Sequence, residues 1–415
     1  MNIAGSMNVP ASDSSTDRGT AYEFAPAQHD PVLTEVGRGT PMGELMRRYW
    51  HPVAPSASVT SELPQRMRIL GENLVLFRDH AGRPGLLAEN CRHRGSSLFF
   101  GRIEPDGLRC CYHGWKFDVQ GHCIDQACEI DGGARRDLAR QPWYPVEERY
   151  GLIFAYMGPP DKKPVLPRWS VLESLEEGEF YEISLNPGYG DGEILPFNWL
   201  QSYENTQDPL HAAWLHLEHN ENQHFGTERI IRNGPDTHEI IKDITWGETP
   251  LGVRYTRTSP VPNSDKRAAF TVEAILPHVF SVPNYIDQSR PGRQDQIGWH
   301  VPVDDTHFRI IQVARVRNKG DLIDRVALHN EKKWSECTNE ELQRCPGDFE
   351  AQATQGPIAI HAHERLVPSD QGVILLRRKL RALLADMEAG RDLINVSFDA
   401  TAAPIEVNAR LEILA

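Results

Sequence analysis

Two thiols and two imidazoles stand in matched pairs within CRHRGSSLFFGRIEPDGLRCCYHGWKFD, residues 91–118: Cys91-x-His93 and Cys110-x-x-His113. Pairs of this kind, joined by a Gly-containing loop, can close around metal. Zinc is one occupant, although structural zinc sites usually pair Cys-x(2–4)-Cys with a second pair and Cys-x-His is less typical of them. The other is a [2Fe–2S] cluster of mixed ligation, with two thiolates on one iron and two neutral imidazoles on the other. Thiolates stabilise ferric ions. Imidazoles remove negative charge, raise the potential and leave ring N–H groups facing outward, where a carboxylate can meet them. Cys111 is a further thiol inside the motif and a rival ligand.

A second constellation lies in NWLQSYENTQDPLHAAWLH, residues 198–216, as Asp208-x-x-His211-x(4)-His216. Two histidines and a carboxylate that leave positions open form the facial triad of a mononuclear non-haem Fe(II) oxygenase. The two histidines are about 140° apart around an ideal helix, so one metal reaches both only where the helix ends, kinks or widens. Pro209 is a source of such irregularity. Either histidine alone reads as an ordinary part-buried helix residue; the set, downstream of the first motif, does not.

With both motifs in view, CRHRG…CCYHGWKFD resembles the Rieske signature, usually Cys-x-His-Arg-Gly followed by Cys-Pro-Tyr-His-Gly-Trp. It departs from it at Cys111, where Pro is usual, and at Arg92, where Pro is common. The spacing of the signature assigns Cys91, His93, Cys110 and His113 to the cluster and leaves Cys111 as a spacer. The stretch from Asn198 through His216 resembles the catalytic helix of Rieske non-haem iron oxygenase α subunits. From about 35 to 385 the chain is similar to the phthalate dioxygenase and O-demethylase branch of that family, a likeness also carried by YGLIFAYMGPP and QGPIAIHAHERLVPSDQGVILLRRKL.

The resemblance implies an α+β chain, an antiparallel β Rieske domain beside a helix-grip (START-like) catalytic domain with an antiparallel sheet. The expected division is a tail and helix over 1–45 that pack on the catalytic domain, the Rieske domain over 46–160, and the catalytic domain over 165–415. It implies that His211 and His216 ligate the mononuclear iron and that Asp208 bridges an iron-ligand imidazole to His113 of the partner subunit. Glu204, one turn earlier, would support Asp208; a solvated carboxylate is the plainer reading. The family's third ligand lies late in the chain on a helix rich in Asp and Gln, which points to Asp348, with Asp304 and Asp305 as rivals. A homotrimer or a pair of trimers follows. The implied reaction takes electrons from NAD(P)H through a separate reductase, with or without a ferredoxin, and uses O₂ to hydroxylate an aromatic, often acidic, substrate. A cis-dihydrodiol, a phenol or O-demethylation with loss of formaldehyde would each fit the same ligands. An electron carrier without oxygenase chemistry is the competing reading; in it His211 and His216 would be packing residues.

The elements that must position these residues are legible in outline. TPMGELMRRYW (40–50) predicts a short helix capped by Thr40 with Pro41 in its first turn. LVLF, DHAGRPG and LLAE predict a hairpin, and YGLIFAYMG (150–158) a closing strand before a Pro-rich linker. Residues 197–219 read as helical with a break at Pro209. Segments between 238 and 316 alternate like strands. Residues 369–390 predict an amphipathic helix with Leu376, Leu380, Leu383, Leu384 and Met387 inward and Gly390 at its end, its basic run (Arg377, Arg378, Lys379, Arg381) reading as a solvated face. Among pocket arginines, Arg232, Arg254 and Arg257 fall in the right region without one standing out. Glu221-x-x-His224 is half of a di-iron motif that lacks its second copy. HAHE (361–364) reads as a surface cluster and His219 as structural.

Composition bounds the partners. The chain has 415 residues, 40% hydrophobic and 25% charged, as in a globular protein of two or three domains. Its net charge of −14 argues against sequence-independent binding to nucleic acid or anionic lipid. No apolar run approaches the ~20 residues of a membrane span, and the polar N-terminus is unlike a secretory signal. Five of the seven cysteines crowd between 91 and 128 among histidines, which suggests metal binding in a reducing cytoplasm rather than a disulfide framework. Cys123, Cys128, Cys337 and Cys345 read as inert. No phosphate-cradling Gly-rich loop is evident, hence the separate reductase for NAD(P)H.

Overall fold

The computed structural model describes residues 27–186, 194–219 (backbone alone for 216–219), 243–261, 264–283, 292–322, 334–344 (backbone alone for 334) and 346–414. The first helices are set by their caps. Asp30 accepts from the Val32 N–H to open α1 (Pro31–Thr34), and Thr40 accepts from the Gly43 N–H to open α2 (Pro41–Met46), with Pro41 in the first turn as expected.

Three small antiparallel sheets follow. The first orders β2 (Gln65–Ile69), β3 (Glu72–Arg78), β4 (Pro84–Ala88) and β9 (Trp143–Tyr144); β3 and β4 are the hairpin the sequence predicts. The second runs β5 (Arg102–Glu104), β6 (Gly107–Arg109), β7 (Trp115–Phe117) and β8 (Cys123–Gln126). In the third, β11 (Leu152–Tyr156), the closing strand, lies between β1 (Trp50–Pro55) and β10 (Val146–Arg149). Val75, Phe77, Leu87, Leu98, Ile103, Leu108 and Phe117 join Cys91 and Cys110 in one apolar core beneath the two Cys/His loops.

The remainder is an eight-stranded antiparallel sheet. Its members are β12 (Phe180–Leu185), β13 (Ile244–Glu248), β14 (Gly252–Pro260), β15 (Arg267–Ile275), β16 (Val279–Ser281), β17 (Gln296–Asp304), β18 (His307–Val316) and β19 (Arg410–Leu414). The order is β12-β18-β17-β16-β15-β14-β13, with β19 against β15. One face meets the small sheets through Trp299, whose ring contacts Phe154 and Trp169. The β2–β3 turn is tied to this sheet: Leu70 and Gly71, both at positive φ, donate to the carbonyls of Pro302 and Val303 at 3.0 and 2.9 Å.

The other face carries α3 (Trp199–Asn205), opened by Asn198, whose side chain accepts from the Leu200 N–H. Ser202 and His300 hydrogen-bond at 3.1 Å, and the Tyr203 and His300 rings meet edge to face. After a break at 206–208, α4 (Pro209–His211) leads into a π-helix over Ala212–His219. A short α5 (Asp348–Ala353) returns to this region. The predicted C-terminal helix is α6 (Gln371–Glu388), with Leu376, Leu380, Leu383 and Leu384 buried and Gly390 at positive φ beyond its end. It packs on β13, β14, α2 and α3. Gly372 allows this: a Cβ there would lie 2.1 Å from the Gln207 carbonyl oxygen.

In the basic run on α6, Arg378 and Arg381 are exposed as expected, and Arg377 departs from that role. Arg377 is largely buried between Glu204 and Glu364, while Arg378 and Lys379 meet Glu248 and Arg381 meets Asp30. Pairing with two acids far away in sequence draws Arg377 inward, which helical periodicity alone does not reveal. No helix among the described residues is long and apolar enough to cross a membrane.

Candidate functional site

The two Cys/His loops are built alike. In each, a cysteine carbonyl accepts from a glycine N–H, Gly95 to Cys91 at 2.8 Å and Gly114 to Cys110 at 3.2 Å. Both glycines have positive φ, 77° and 67°, which a larger residue resists. Each cysteine N–H is also bonded, Cys91 to Ser96 and Cys110 to Trp115. Two polar side chains brace the loops from outside. Gln141 donates to the Ala88 and Asn90 carbonyls and accepts from the Arg92 N–H; Arg109 donates to the Gly114 carbonyl at 2.6 Å while pairing with Glu104 and Asp125. Neither was singled out by spacing, because each works through contacts that leave no local motif.

Cys91 and Cys110 are buried and their thiols hydrogen-bond each other; Cys111 is exposed, with Ser96 Oγ 3.9 Å from its sulfur. The bond from Cys91 pushes the Cys110 thiol down to about 5, and backbone N–H groups of Tyr112 and His113 add to this; the same bond pushes Cys91 up. The His93 and His113 rings stand edge to face with centroids 4.6 Å apart, and His93 stacks on Trp115 at 4.4 Å. Two buried thiols and two converging imidazoles are the donor set that a mixed-ligand [2Fe–2S] cluster requires.

The second constellation gathers around His211. Its Nδ1–H donates to the Asp208 backbone carbonyl, which leaves Nε2 as the acceptor nitrogen. Nε2 faces Asp348 Oδ1 at 3.6 Å. Two ligands on metal bonds of about 2.1 Å, 90–120° apart, stand roughly 3.0–3.6 Å from each other, so the pair is able to share one ion. Asn205 Nδ2 reaches both, 3.2 Å from His211 Nε2 and 3.3 Å from Asp348 Oδ1. Asn205, next to Glu204 and three residues before Asp208 in the stretch that carries the resemblance, has no role that sequence alone assigns.

Asp208 Oδ1 caps α4 by accepting from the Leu210 and His211 N–H groups. Oδ2 lies 3.9 Å from His211 Nδ1 on a side chain that is one-third exposed. Of the end, kink or widening that the His211/His216 spacing calls for, the structure has a widening: a π-helix follows His211, and i→i+5 bonding brings residues five apart closer to one face than an α-helix does. The side chain of His216, like Glu221, His224, Arg232 and Cys345, lies outside the described residues.

Other candidates are engaged elsewhere. Asp304 pairs with Arg68 and caps Thr306, and Asp305 accepts from the Val36 N–H. Glu204, 8% exposed, faces Arg377 at 2.5 and 2.7 Å. Burial pushes its carboxyl up, against the opposing pull of Arg377. Glu204, His361 and Glu364 bring ligand atoms within 4.8 Å of one another, with the Arg377 guanidinium bonded to both carboxylates.

Comparison with known proteins agrees with this architecture. The Rieske [2Fe-2S] domain family matches residues 49–131. The alpha subunit of phenoxybenzoate dioxygenase from Ectopseudomonas oleovorans is 46% identical over 395 residues, covering 94% of this chain and 93% of that protein. The chain therefore belongs to the oxygenase (α) subunits of the Rieske non-haem iron oxygenases. Another relative, the 5,5'-dehydrodivanillate O-demethylase oxygenase subunit of Sphingobium sp. (strain NBRC 103272 / SYK-6), is 33% identical, covering 87% of this chain and 80% of its own. Dicamba monooxygenase bound to dicamba shares the fold at a TM-score of 0.58 and 17% identity, covering 83% of this chain and 99% of that one. The chain is an oxygenase component that carries a Rieske cluster and a mononuclear iron, uses O₂, and draws its electrons from a reductase.

Proposed function

We propose that this chain hydroxylates or O-demethylates an aromatic acid in the cytoplasm, as a homotrimer or double trimer served by a separate NAD(P)H reductase with or without a ferredoxin. Residues 46–160 form the Rieske domain, 165–415 the catalytic domain, and 1–45 a tail and helices packed on the latter. Cys91, His93, Cys110 and His113 hold the cluster; His211, His216 and Asp348 hold the mononuclear iron. Bound there, the cluster supplies electrons singly and the iron activates O₂.

The observation that carries this reading is the pairing of His211 Nε2 with Asp348 Oδ1 at 3.6 Å, with Asn205 between them. The residues divide the work. The Asp208 carbonyl fixes the His211 tautomer, so that Nε2 presents its lone pair inward. Asn205 orients both ligand atoms. Asp208 Oδ1 is spent on the helix cap, which leaves Oδ2 to accept from an imidazole N–H of His113 of the partner subunit. Half-exposed His113 and exposed Tyr112 offer a surface that a second protomer can cover. Phenoxybenzoate, named for the relative at 46% identity, sets the expected substrate class.

Iron and acid-labile sulfide analysis, with O₂ uptake and product mass in the presence of a surrogate reductase, tests the reading. About three irons and two sulfides per chain and an oxygenated or demethylated aromatic acid are expected. Iron confined to the cluster, with no O₂ uptake on any aromatic acid, would overturn it.

A further inference from the structure

Among the described residues, Arg257 and Arg47 are the two arginines with almost no exposure, 1% and 2%. Arg47 is ion-paired with Glu72 at 2.6 Å. Arg257 has no carboxylate partner among the described residues, and its Nε and Nη1 are enclosed without hydrogen-bond acceptors. Its one notable contact is the Phe270 ring, 4.6 Å from the guanidinium carbon. That contact uses the face of the guanidinium and leaves the in-plane N–H groups of Nε and Nη1 unmet. A guanidinium stays protonated at any pH a protein tolerates, so neutralisation gives no relief. Buried donors are as a rule satisfied, and one that is not points to a missing partner.

The sheet register says where that partner would lie. Arg257 is opposite Phe270, and Val253 of the same strand face is opposite Ala274. Ala274 is opposite Phe280, Phe280 opposite Gly298, and Gly298 opposite Gln312. His300, two residues from Gly298, shares this face and carries α3 through Ser202 and Tyr203. Arg257 thus stands on the face of the sheet that supports the catalytic helix. Arg254, three residues earlier, points to the opposite face and is exposed. Val253, Tyr255, Val272 and Phe280 give the same face an apolar, aromatic character suited to a ring.

We propose that Arg257 is the specificity-determining residue that receives the carboxylate of the aromatic acid. This rests on the aromatic-acid reading given above and assigns it to one side chain. A carboxylate supplies the acceptors that the guanidinium lacks, and Phe270 lines the same end of the face.

The test uses holoenzyme, anaerobic calorimetric titration with 3-phenoxybenzoate and its methyl ester, and thermal melting with and without each. Wild type binds the acid about 10- to 100-fold more tightly than the ester. Arg257→Gln brings the two within about threefold, keeps the cluster's visible spectrum, and in the absence of ligand melts no lower than wild type, because an unpaired buried charge has been removed. Arg257→Lys recovers part of the preference. An unchanged acid preference in Arg257→Gln, with wild type discriminating, overturns the assignment and leaves the aromatic-acid reading standing. A lower ligand-free melting temperature, or failure to fold, shows a structural arginine and also overturns it. Wild type that does not prefer the acid overturns both.

Discussion

Replacing Arg377 by Met should loosen the catalytic helix from a distance. Arg377 on α6 donates to both oxygens of Glu204 on α3, at 2.5 and 2.7 Å, and to both oxygens of Glu364, at 2.5 and 3.0 Å. The side chains are 16%, 11% and 27% exposed for Arg377, Glu204 and Glu364. Removing one member of a buried ion pair costs about 3–5 kcal/mol; partial solvent access brings this to about 2–4 kcal/mol. With an unfolding entropy of about 2.1 cal/mol/K per residue, a chain of this length shifts by only about 1–2 °C per kcal/mol, so the melting temperature should fall by about 2–6 °C. The pH dependence has a definite sign. Burial and the nearby Glu364 charge already push Glu204 up, and loss of Arg377 removes the opposing pull. A carboxyl whose folded pKa exceeds its unfolded value favours folding fully below the unfolded value, and that contribution is lost as pH rises through the folded pKa. The stability gap between Arg377→Met and wild type should therefore be small near pH 5 and widest near pH 8. Adding Glu204→Gln should recover part of the loss. Thermal melts followed by circular dichroism at several pH values give the answer; a gap under about 1 kcal/mol at pH 8, or one that does not change with pH, would refute the reasoning.

Other consequences can be measured separately. Gly114→Ala places a Cβ 2.9 Å from that of Ala127 at φ +67°, so the ratio of visible to 280 nm absorbance should fall as cluster is lost. Burial pushes His51 down to about 4 and His300 down to about 3, and holds His278 well below its ordinary value. All three are neutral when folded and take up protons on unfolding once pH drops below about 6.5. Urea titrations should show stability falling toward pH 4 by about 1.4 kcal/mol per pH unit for each group, and a flat profile would contradict this. Asp208→Asn should keep iron and cluster while steady-state turnover drops about 10- to 100-fold.

What the sequence disclosed was local. The Cys/His pairs proposed to hold the cluster sit on two short loops whose glycines and spacing are visible without any partner. Thr40, Pro41 and the leucines of α6 likewise declare themselves by cap and period. The His211/His216 spacing called for a helix that ends, kinks or widens, and a π-helix follows His211. Hidden from sequence were contacts that join distant segments. Glu204 and Arg377 are 173 residues apart, and only their meeting turns an apparent surface cation into a helix anchor. Asn205 lies within the stretch that resembles the family's catalytic helix, yet its contact with both His211 and Asp348 is visible only in the fold. Arg254 and Arg257 look equivalent until strand pairing sends them to opposite faces, one exposed and one enclosed.

Subunit mixing addresses the two-centre arrangement most directly. One variant, Cys110→Ser, lacks the cluster but keeps the His211 and Asp348 site; the other, His211→Ala, keeps the cluster and lacks that site. Each alone should be inactive with reductase and substrate. Co-assembled oligomers of the two should regain turnover, since Asp208 of one protomer can meet His113 of the partner subunit. Inactive mixtures of demonstrated mixed composition would show that the two centres do not work across the protomer boundary.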